Sequence, residues 1–121
     1  MNGRLRGVLR RATTPRNPVR REVRVAAAAE IPPGASKRIS LGATEVVVFN
    51  LGDRFVACRN ECPHRLESLA GGPLQAGVVT CPGHGWRFDL GQNGACVEGE
   101  SDVKLRMFPV RVVDGEVHVQ P

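Results

Sequence analysis

Hydrophobic and polar residues alternate along the chain over short segments, a pattern typical of β-strands that are buried on one side. Val23, Val25 and Ala27 alternate with Glu22, Arg24 and Ala26, which predicts a first strand that buries the former three side chains. The segments 37–41 and 45–50 predict two further strands, the second rich in valine. No segment of ten or more residues after residue 24 has helical periodicity. The pattern therefore predicts a domain built mainly of strands.

Turn residues separate the first predicted strands. Ile31-Pro32-Pro33-Gly34 predicts a turn before the second strand, because proline and glycine favour the backbone angles of tight turns. Gly52-Asp53 predicts a hairpin turn between strands at 46–49 and 54–58. Neighbouring strands joined by such short turns run antiparallel.

The second half of the chain continues the pattern of short strands. Asp114-Gly115 is a type I′ hairpin signal between predicted strands at 105–113 and 116–120. The segments 60–75 and 81–100 are rich in Gly, Pro, Asn and Asp, which predicts loops with short extended pieces. Short strands at regular spacing predict an all-β fold, a small antiparallel sandwich or barrel.

Composition limits the chain to one small domain. It has 121 residues, of which 41% are hydrophobic, enough for a core of modest size. The longest apolar runs, 25–29 and 46–49, are far too short for a membrane-spanning helix. No apolar stretch of the kind found in secretory signals follows the basic N-terminus, so we expect a cytoplasmic protein without a membrane partner.

The positive charge of the chain is concentrated at its start. Residues 1–24 contain eight Arg and a single acid, Glu22, whereas residues 25–121 have a net charge of −2. We divide the chain into a basic arm at 1–22 and a domain at 23–121. Blocks of like charge rarely fold alone, so the arm is predicted to be disordered or to dock an acidic partner. It contains no aromatic residue for stacking on bases, and we expect no nucleic-acid partner.

Two loops contain nearly all the residues that bind soft metals. The first loop reads Cys62-Pro63-His64 and the second reads Cys81-Pro82-Gly83-His84, with sixteen residues between His64 and Cys81. One zinc ion could take all four side chains as tetrahedral ligands. A [2Fe–2S] cluster could instead take both cysteines on one iron and both histidines on the other. The mixture of Cys and His within each loop favours the binuclear cluster.

The residues around these loops resemble a known family. Cys62-Pro63-His64-Arg65 and Cys81-Pro82-Gly83-His84-Gly85-Trp86-Arg87-Phe88-Asp89 are similar to the signature of Rieske [2Fe–2S] proteins. The resemblance extends from about Val23 to Val119. It implies a Rieske-type antiparallel β sandwich or barrel with a small cluster-binding subdomain formed by two loops.

The resemblance also implies the cofactor and its ligands. It implies one [2Fe–2S] cluster per chain, with Cys62 and Cys81 on the buried ferric iron. His64 and His84 would then bind the outer, redox-active iron near the surface. The remaining cysteines, Cys58 and Cys96, are predicted to be packing residues without a metal role.

The same resemblance implies a low reduction potential. High-potential members carry a disulfide between the two loops, but the matching positions here are Arg65 and Gly83. Those members also place Ser and Tyr after the second histidine, where this chain has Trp86 and Phe88, neither of which carries a hydroxyl. We therefore expect a potential of about −150 mV, the low end of the range for Rieske centres.

Four positions depart from the family pattern, one of them near Glu100, where the family often has Pro in a loop that covers the cluster. The family usually has Gly where Leu66 stands, a small residue where Glu67 stands, and an aromatic or bulky residue where Gly83 stands. A glycine at position 83 cannot shield the neighbouring histidine as a large side chain would. These departures imply that the cluster is more exposed, or its loops less rigid, than in other members.

The resemblance implies either a separate electron carrier or one subunit of a larger redox enzyme. The chain is most similar to stand-alone Rieske ferredoxins, which pass one electron from a flavin-dependent reductase to a terminal oxygenase without catalysing turnover themselves. The alternative is a small Rieske subunit of a larger redox enzyme complex, of the oxygenase or nitrite-reductase type. Once His64 and His84 are assigned to the cluster, only His118 remains, so a two-His non-haem iron site cannot be built within this chain. The third hypothesis is a non-redox module, either zinc-bound or an interaction domain of the same fold.

Overall fold

The computed structural model describes residues 21–63, 67–83, 85–99 and 102–121 of the chain. Nearly all of the predicted basic arm lies outside these residues, so the division of the chain at residue 22 stays a prediction. The described helices are two short 3-10 helices, Ala28–Glu30 and Leu90–Gln92, in agreement with the absence of helical periodicity. Within the described ranges, no helix has the length and apolar character needed to span a bilayer.

The described strands form three antiparallel sheets, which confirms the predicted all-β fold class. In chain order the strands are β1 (Val23–Ala27), β2 (Ser36–Leu41), β3 (Thr44–Asn50), β4 (Phe55–Arg59), β5 (Leu74–Gln75), β6 (Val78–Thr80), β7 (Arg87–Asp89), β8 (Ala95–Glu98), β9 (Met107–Phe108), β10 (Val110–Val113) and β11 (Glu116–Val119). The first sheet has the order β1-β11-β10, the second β2-β3-β4-β9 and the third β5-β6-β7-β8.

Strand β3 lies between two hydrophobic cores. Its residues from Val46 to Asn50 are all buried, since one face packs on the first sheet and the other on the third. Val46 and Val48 pack with Ile31 and Val117 in one core, and this core holds the first and second sheets together. The opposite face belongs to a second core that also includes the following residues: Val47, Phe49, Val56, Cys58, Leu69, Val79, Phe88 and Leu90. The second core anchors the two cysteine-containing loops.

The prediction of which side chains of β1 are buried is partly wrong. Ala26, predicted to face outward, is the fully buried residue of this strand, while Val23, Val25 and Ala27 are half-buried. The cause is a β-bulge: Arg24 pairs with His118, but the next pair along the strand is Ala26 with Val117. An extra residue in one strand reverses the inside–outside alternation beyond it, which a period-two pattern does not anticipate.

The predicted strand at 105–113 is divided in the structure. Pro109, which has no backbone N–H to donate, separates β9 from β10. Strand β9 pairs with β4, and β10 pairs with β11, so the chain passes here from the second sheet to the first. The hairpin that follows is as predicted: Asp114 and Gly115 both have positive φ, 51° and 75°, as a type I′ turn requires.

The third sheet is made of the short extended pieces predicted within the loop-rich segments. Its strands contain two to four residues each. Such short strands carry too few alternating positions to be recognised as a sheet from sequence. The third sheet positions the two cysteine-containing loops, because it begins where the first loop ends and its strands β6 and β7 flank the second.

Candidate metal centre

The first cysteine-containing loop (60–73) connects β4 to β5. It begins where β4 ends at Arg59, and it contains Cys62, whose side chain is completely buried. The backbone N–H of Cys62 donates to the carbonyl of Glu67 over 2.7 Å. This hydrogen bond joins Cys62 to the returning half of the same loop.

Asn60 orders this loop from inside the protein. Its side chain is buried, and its Oδ1 accepts hydrogen bonds from the backbone N–H groups of Leu69 and Ala70 at 2.8 and 3.0 Å. Its Nδ2 donates to Ser68 Oγ at 2.8 Å and to Glu45 Oε1 at 3.0 Å. One side chain therefore fixes both the returning half of the loop and its position on β3.

The second cysteine-containing loop (81–86) connects β6 to β7. The N–H of Cys81 donates to the carbonyl of Trp86 over 2.7 Å, and the N–H of Gly85 donates to the carbonyl of Cys81 over 3.0 Å. Gly85 has φ of +79°, in the left-handed region that only glycine adopts readily. The loop is thus a tight turn that begins at a buried thiol and has Pro82 and Gly83 exposed at its tip.

The structure brings the two predicted cysteine ligands into one apolar environment. Cys62 and Cys81 are both buried, and both belong to the same hydrophobic core. Thiolate sulfur is the usual protein ligand of iron–sulfur clusters, and apolar surroundings exclude water from it. The described half of the donor set therefore fits a [2Fe–2S] cluster. The other predicted ligands, His64 and His84, lie outside the described residues.

The other two cysteines have packing roles. Cys58 lies in β4 with its side chain fully buried, and burial raises the pKa of its thiol to about 12. That thiol stays protonated at neutral pH and is a poor metal ligand or nucleophile. Cys96 lies in β8, partly buried against the same core, and it forms no disulfide with Cys58.

Trp86 packs beside the second loop. Its side chain is half-buried against the core, and its ring lies on the backbone of Gly99, where an added Cβ would meet ring atoms at 2.5 and 2.6 Å. Gly99 has φ of +138°, so both its backbone angle and the space around it require glycine. The contact gives Trp86 a packing role in this loop.

The sequence reasoning missed the role of Asn60. The residue stands two positions before Cys62, directly after a strand, which is where a polar side chain often hydrogen-bonds to the backbone of a following loop. That position was a usable signal. The partners of Asn60, however, are up to fifteen positions away, and they become apparent only in three dimensions.

Comparison with known proteins identifies the domain. The Rieske [2Fe-2S] domain family matches residues 21–109. Ferredoxin CarAc of Metapseudomonas resinovorans is 36% identical over 98 residues, which cover 80% of this chain and 91% of that ferredoxin. The biphenyl dioxygenase ferredoxin subunit of Pseudomonas sp. (strain KKS102) is 32% identical over 91 residues, or 74% of this chain and 83% of that subunit.

Solved structures show the same fold. The ferredoxin of carbazole 1,9a-dioxygenase from Nocardioides aromaticivorans IC177 has 31% sequence identity and a TM-score of 0.76, and the match covers 83% of this chain and 97% of that one. A chain in the solved complex of reduced oxygenase and oxidized ferredoxin in carbazole 1,9a-dioxygenase has 34% identity and a TM-score of 0.74. That match covers 82% of this chain and 92% of the other.

Proposed function

The chain belongs to the Rieske [2Fe–2S] domain family, and on that premise we propose that it carries single electrons from a flavin-dependent reductase to a terminal oxygenase. The observation that carries the proposal is the pair of buried cysteines, Cys62 and Cys81, at the starts of two closed loops in one apolar core. The relatives matched over most of their length are ferredoxin components of oxygenase systems, not catalytic subunits.

We assign the cluster ligands by position in the family motif. Cys62 and Cys81 would hold the inner iron, and His64 and His84 would hold the outer iron. The burial of both cysteines in the core supports their assignment to the inner iron. The bound cluster supplies a one-electron redox couple, while the chain supplies its ligands, its apolar surroundings and its docking surface.

The residues of the chain have two tasks in this function. The closed first loop and Asn60 hold Cys62 in place, and the turn from Cys81 to Trp86 holds the second thiol. Rigid ligands reduce the rearrangement that accompanies a change of charge, and so they favour rapid electron exchange. The exposed tip of the second loop, at Pro82 and Gly83, leaves that side of the site open to a partner.

The partners and location are inferred from the relatives. A relative of known structure forms a complex with its oxygenase, and we expect this chain to meet an oxygenase in the same way. We place the protein in the cytoplasm, where a flavin-dependent reductase can reach it. The basic arm at 1–22 is proposed to be disordered or to bind an acidic partner surface.

The alternative function, a Rieske subunit within a larger redox enzyme, has less support. The 3-chlorobenzoate-3,4-dioxygenase oxygenase subunit of Comamonas testosteroni is 31% identical, but the match covers only 24% of that protein. Among the relatives at least 30% identical, those that this chain covers most fully are ferredoxins. Coverage therefore favours a separate electron carrier over a part of an oxygenase subunit.

Electron transfer and ligand assignment can be tested together. The purified protein is reduced anaerobically by NADH with a ferredoxin reductase from a carbazole-type dioxygenase system, and then mixed with the matching oxygenase. We expect one electron to enter and leave each chain. The loss and return of visible absorbance measure these two steps. The variants Cys81→Ser and His84→Ala should lose the cluster, because each removes one ligand.

Cys58→Ala is the matched control for these variants. It also removes a buried thiol, but one whose pKa of about 12 argues against metal binding, so iron content and electron transfer should be retained. Loss of the cluster in Cys58→Ala, or its retention in Cys81→Ser and His84→Ala, would contradict the ligand assignment. A protein with a cluster that no reductase reduces would contradict the carrier role.

A further inference from the structure

An acidic side chain of the first cysteine-containing loop contacts the second loop. Glu67 belongs to the first loop, where its carbonyl accepts the hydrogen bond from Cys62 that closes that loop. Its carboxylate reaches across to the second loop and occupies the space beside the Cα of Gly83. Among the described residues, the three atoms nearest to a Cβ added at Gly83 all belong to the Glu67 side chain.

The backbone of Gly83 does not require glycine. Its φ is not positive, whereas the neighbouring Gly85 has φ of +79°. An alanine at position 83 would therefore be free of backbone strain, and its methyl group would collide only with the carboxylate of Glu67 among the described atoms. Gly83 and Glu67 thus form a complementary pair, in which one position lacks a side chain and the other fills the gap.

We propose that Glu67 is a positioning residue that joins the two cluster-binding loops and sets a negative charge beside the cluster. This proposal rests on the proposed function, since it assigns Glu67 a role toward the same site. In the sequence, Gly83 directly precedes His84 and Glu67 follows His64 by three positions. Because these loops lack a disulfide, the side chain of Glu67 supplies a non-covalent connection between them.

Two consequences follow from this position. Removal of the side chain should loosen the second loop, so the cluster should be lost faster. Removal of the charge alone should make reduction of the cluster more favourable, because a nearby negative charge opposes the addition of an electron. Glu67→Ala removes both the contact and the charge, whereas Glu67→Gln keeps the shape and removes only the charge.

A double-mutant cycle tests the contact. Gly83→Ala is made in the natural chain and in Glu67→Ala, and the free energy of unfolding and the rate of cluster release are measured for all four proteins. In the natural chain the new methyl group must displace the carboxylate, and we expect cluster release at least about threefold faster. In the Glu67→Ala chain the space is empty, and the same methyl group should change release by less than about 1.5-fold.

The reduction potential tests the charge. For Glu67→Gln we expect an equilibrium constant for reduction about threefold larger, a rise of about 28 mV at about 59 mV per tenfold for one electron. The matched control is Asp53→Asn, which removes one carboxylate from the exposed β3–β4 turn, at the opposite end of β4 from Cys62. Its potential should stay close to that of the natural chain, because solvent screens a distant exposed charge.

The outcomes separate this proposal from the carrier function. Additive effects in the cycle would show that Glu67 swings away from Gly83 without cost, which overturns the positioning role. A potential that is unchanged in Glu67→Gln, or that changes equally in Asp53→Asn, overturns the charge effect. Both results leave the cluster and the carrier function intact. A colourless natural chain would overturn the carrier function instead, while the unfolding free energies would still decide the Glu67–Gly83 contact.

Discussion

At the scale of single residues, the site depends on polar side chains that bind no metal. Asn60 is buried beneath the first loop and makes four hydrogen bonds, two of them to backbone N–H groups of that loop. Asn50 is also buried, but it serves the β3–β4 turn: it donates to the carbonyl of Ile31 and accepts from the N–H of Gly52. The two asparagines therefore allow the stability of the fold and the order of the loop to be measured separately.

We predict that Asn60→Ala destabilises the protein by about 2–3 kcal/mol, because it leaves buried donors such as the N–H of Leu69 without a partner. It should also release the cluster several-fold faster. Asn50→Ala should cost a similar free energy of unfolding but leave the rate of release near that of the natural chain. Denaturant unfolding and the decay of visible absorbance measure the two effects. Equal acceleration of release by both variants would contradict a specific role for Asn60.

The proposed ligand residues follow from the sequence pattern, whereas the contacts of the residues that support them become apparent only in the structure. Paired Cys and His in two loops form a local pattern whose chemistry can be inferred from residue type and spacing. Asn60 acts through the returning half of its own loop and through Glu45 on β3, and Glu67 acts through the space beside Gly83. Such relations depend on how the loops fold against each other, and residue type does not encode them.

At the scale of elements, the sheet that contains β1 is held at its edges by ion pairs. Arg24 donates to both carboxylate oxygens of Glu116 across the β1–β11 pair, at 2.7 and 3.3 Å. Arg111 of β10 makes two similar hydrogen bonds to Glu22, at 2.8 and 2.9 Å. The pKa of Glu116 is lowered, chiefly by the hydrogen bond from Arg24 and next by the positive charge of Arg24.

This shift predicts how stability depends on pH. A carboxyl whose pKa is lower in the folded chain stabilises the fold above its unfolded pKa of about 4.3, and the contribution is lost as the pH falls through the folded value. Glu116→Gln and Arg24→Gln should therefore each flatten the decline in unfolding free energy below about pH 5. Because both side chains are exposed, we expect a small effect. A slope unchanged in both variants would contradict the assignment.

Strand prediction succeeded where alternation was regular and failed where local backbone chemistry interrupted it. Strands β2, β3, β4 and β11 lie within a residue or two of their predicted positions, and the turn of the β10–β11 hairpin falls where it was predicted. The bulge in β1 reversed its buried face, and Pro109 divided a predicted strand between two sheets. A bulge is a property of pairing with another strand, so one strand's own pattern does not reveal it.

At the scale of the whole molecule, β3 lies between two hydrophobic cores that have different roles. One face of β3 packs on the sheet that contains β1, and this half serves stability. The other face supports Cys62 and Cys81 through the core that contains Phe49. The near-continuous burial of β3 explains its run of valines, since a strand covered on both sides needs no polar face.

Electron paramagnetic resonance of the reduced protein, recorded during a potential titration, tests the central claim most directly. We predict two iron and two sulfide per chain, and a one-electron signal that appears on reduction with nitrogen couplings from two histidines. The midpoint should be about −150 mV, because no loop disulfide or tyrosine hydroxyl raises it. A colourless protein with one zinc, a signal without nitrogen coupling, or a midpoint above about +100 mV would contradict this account.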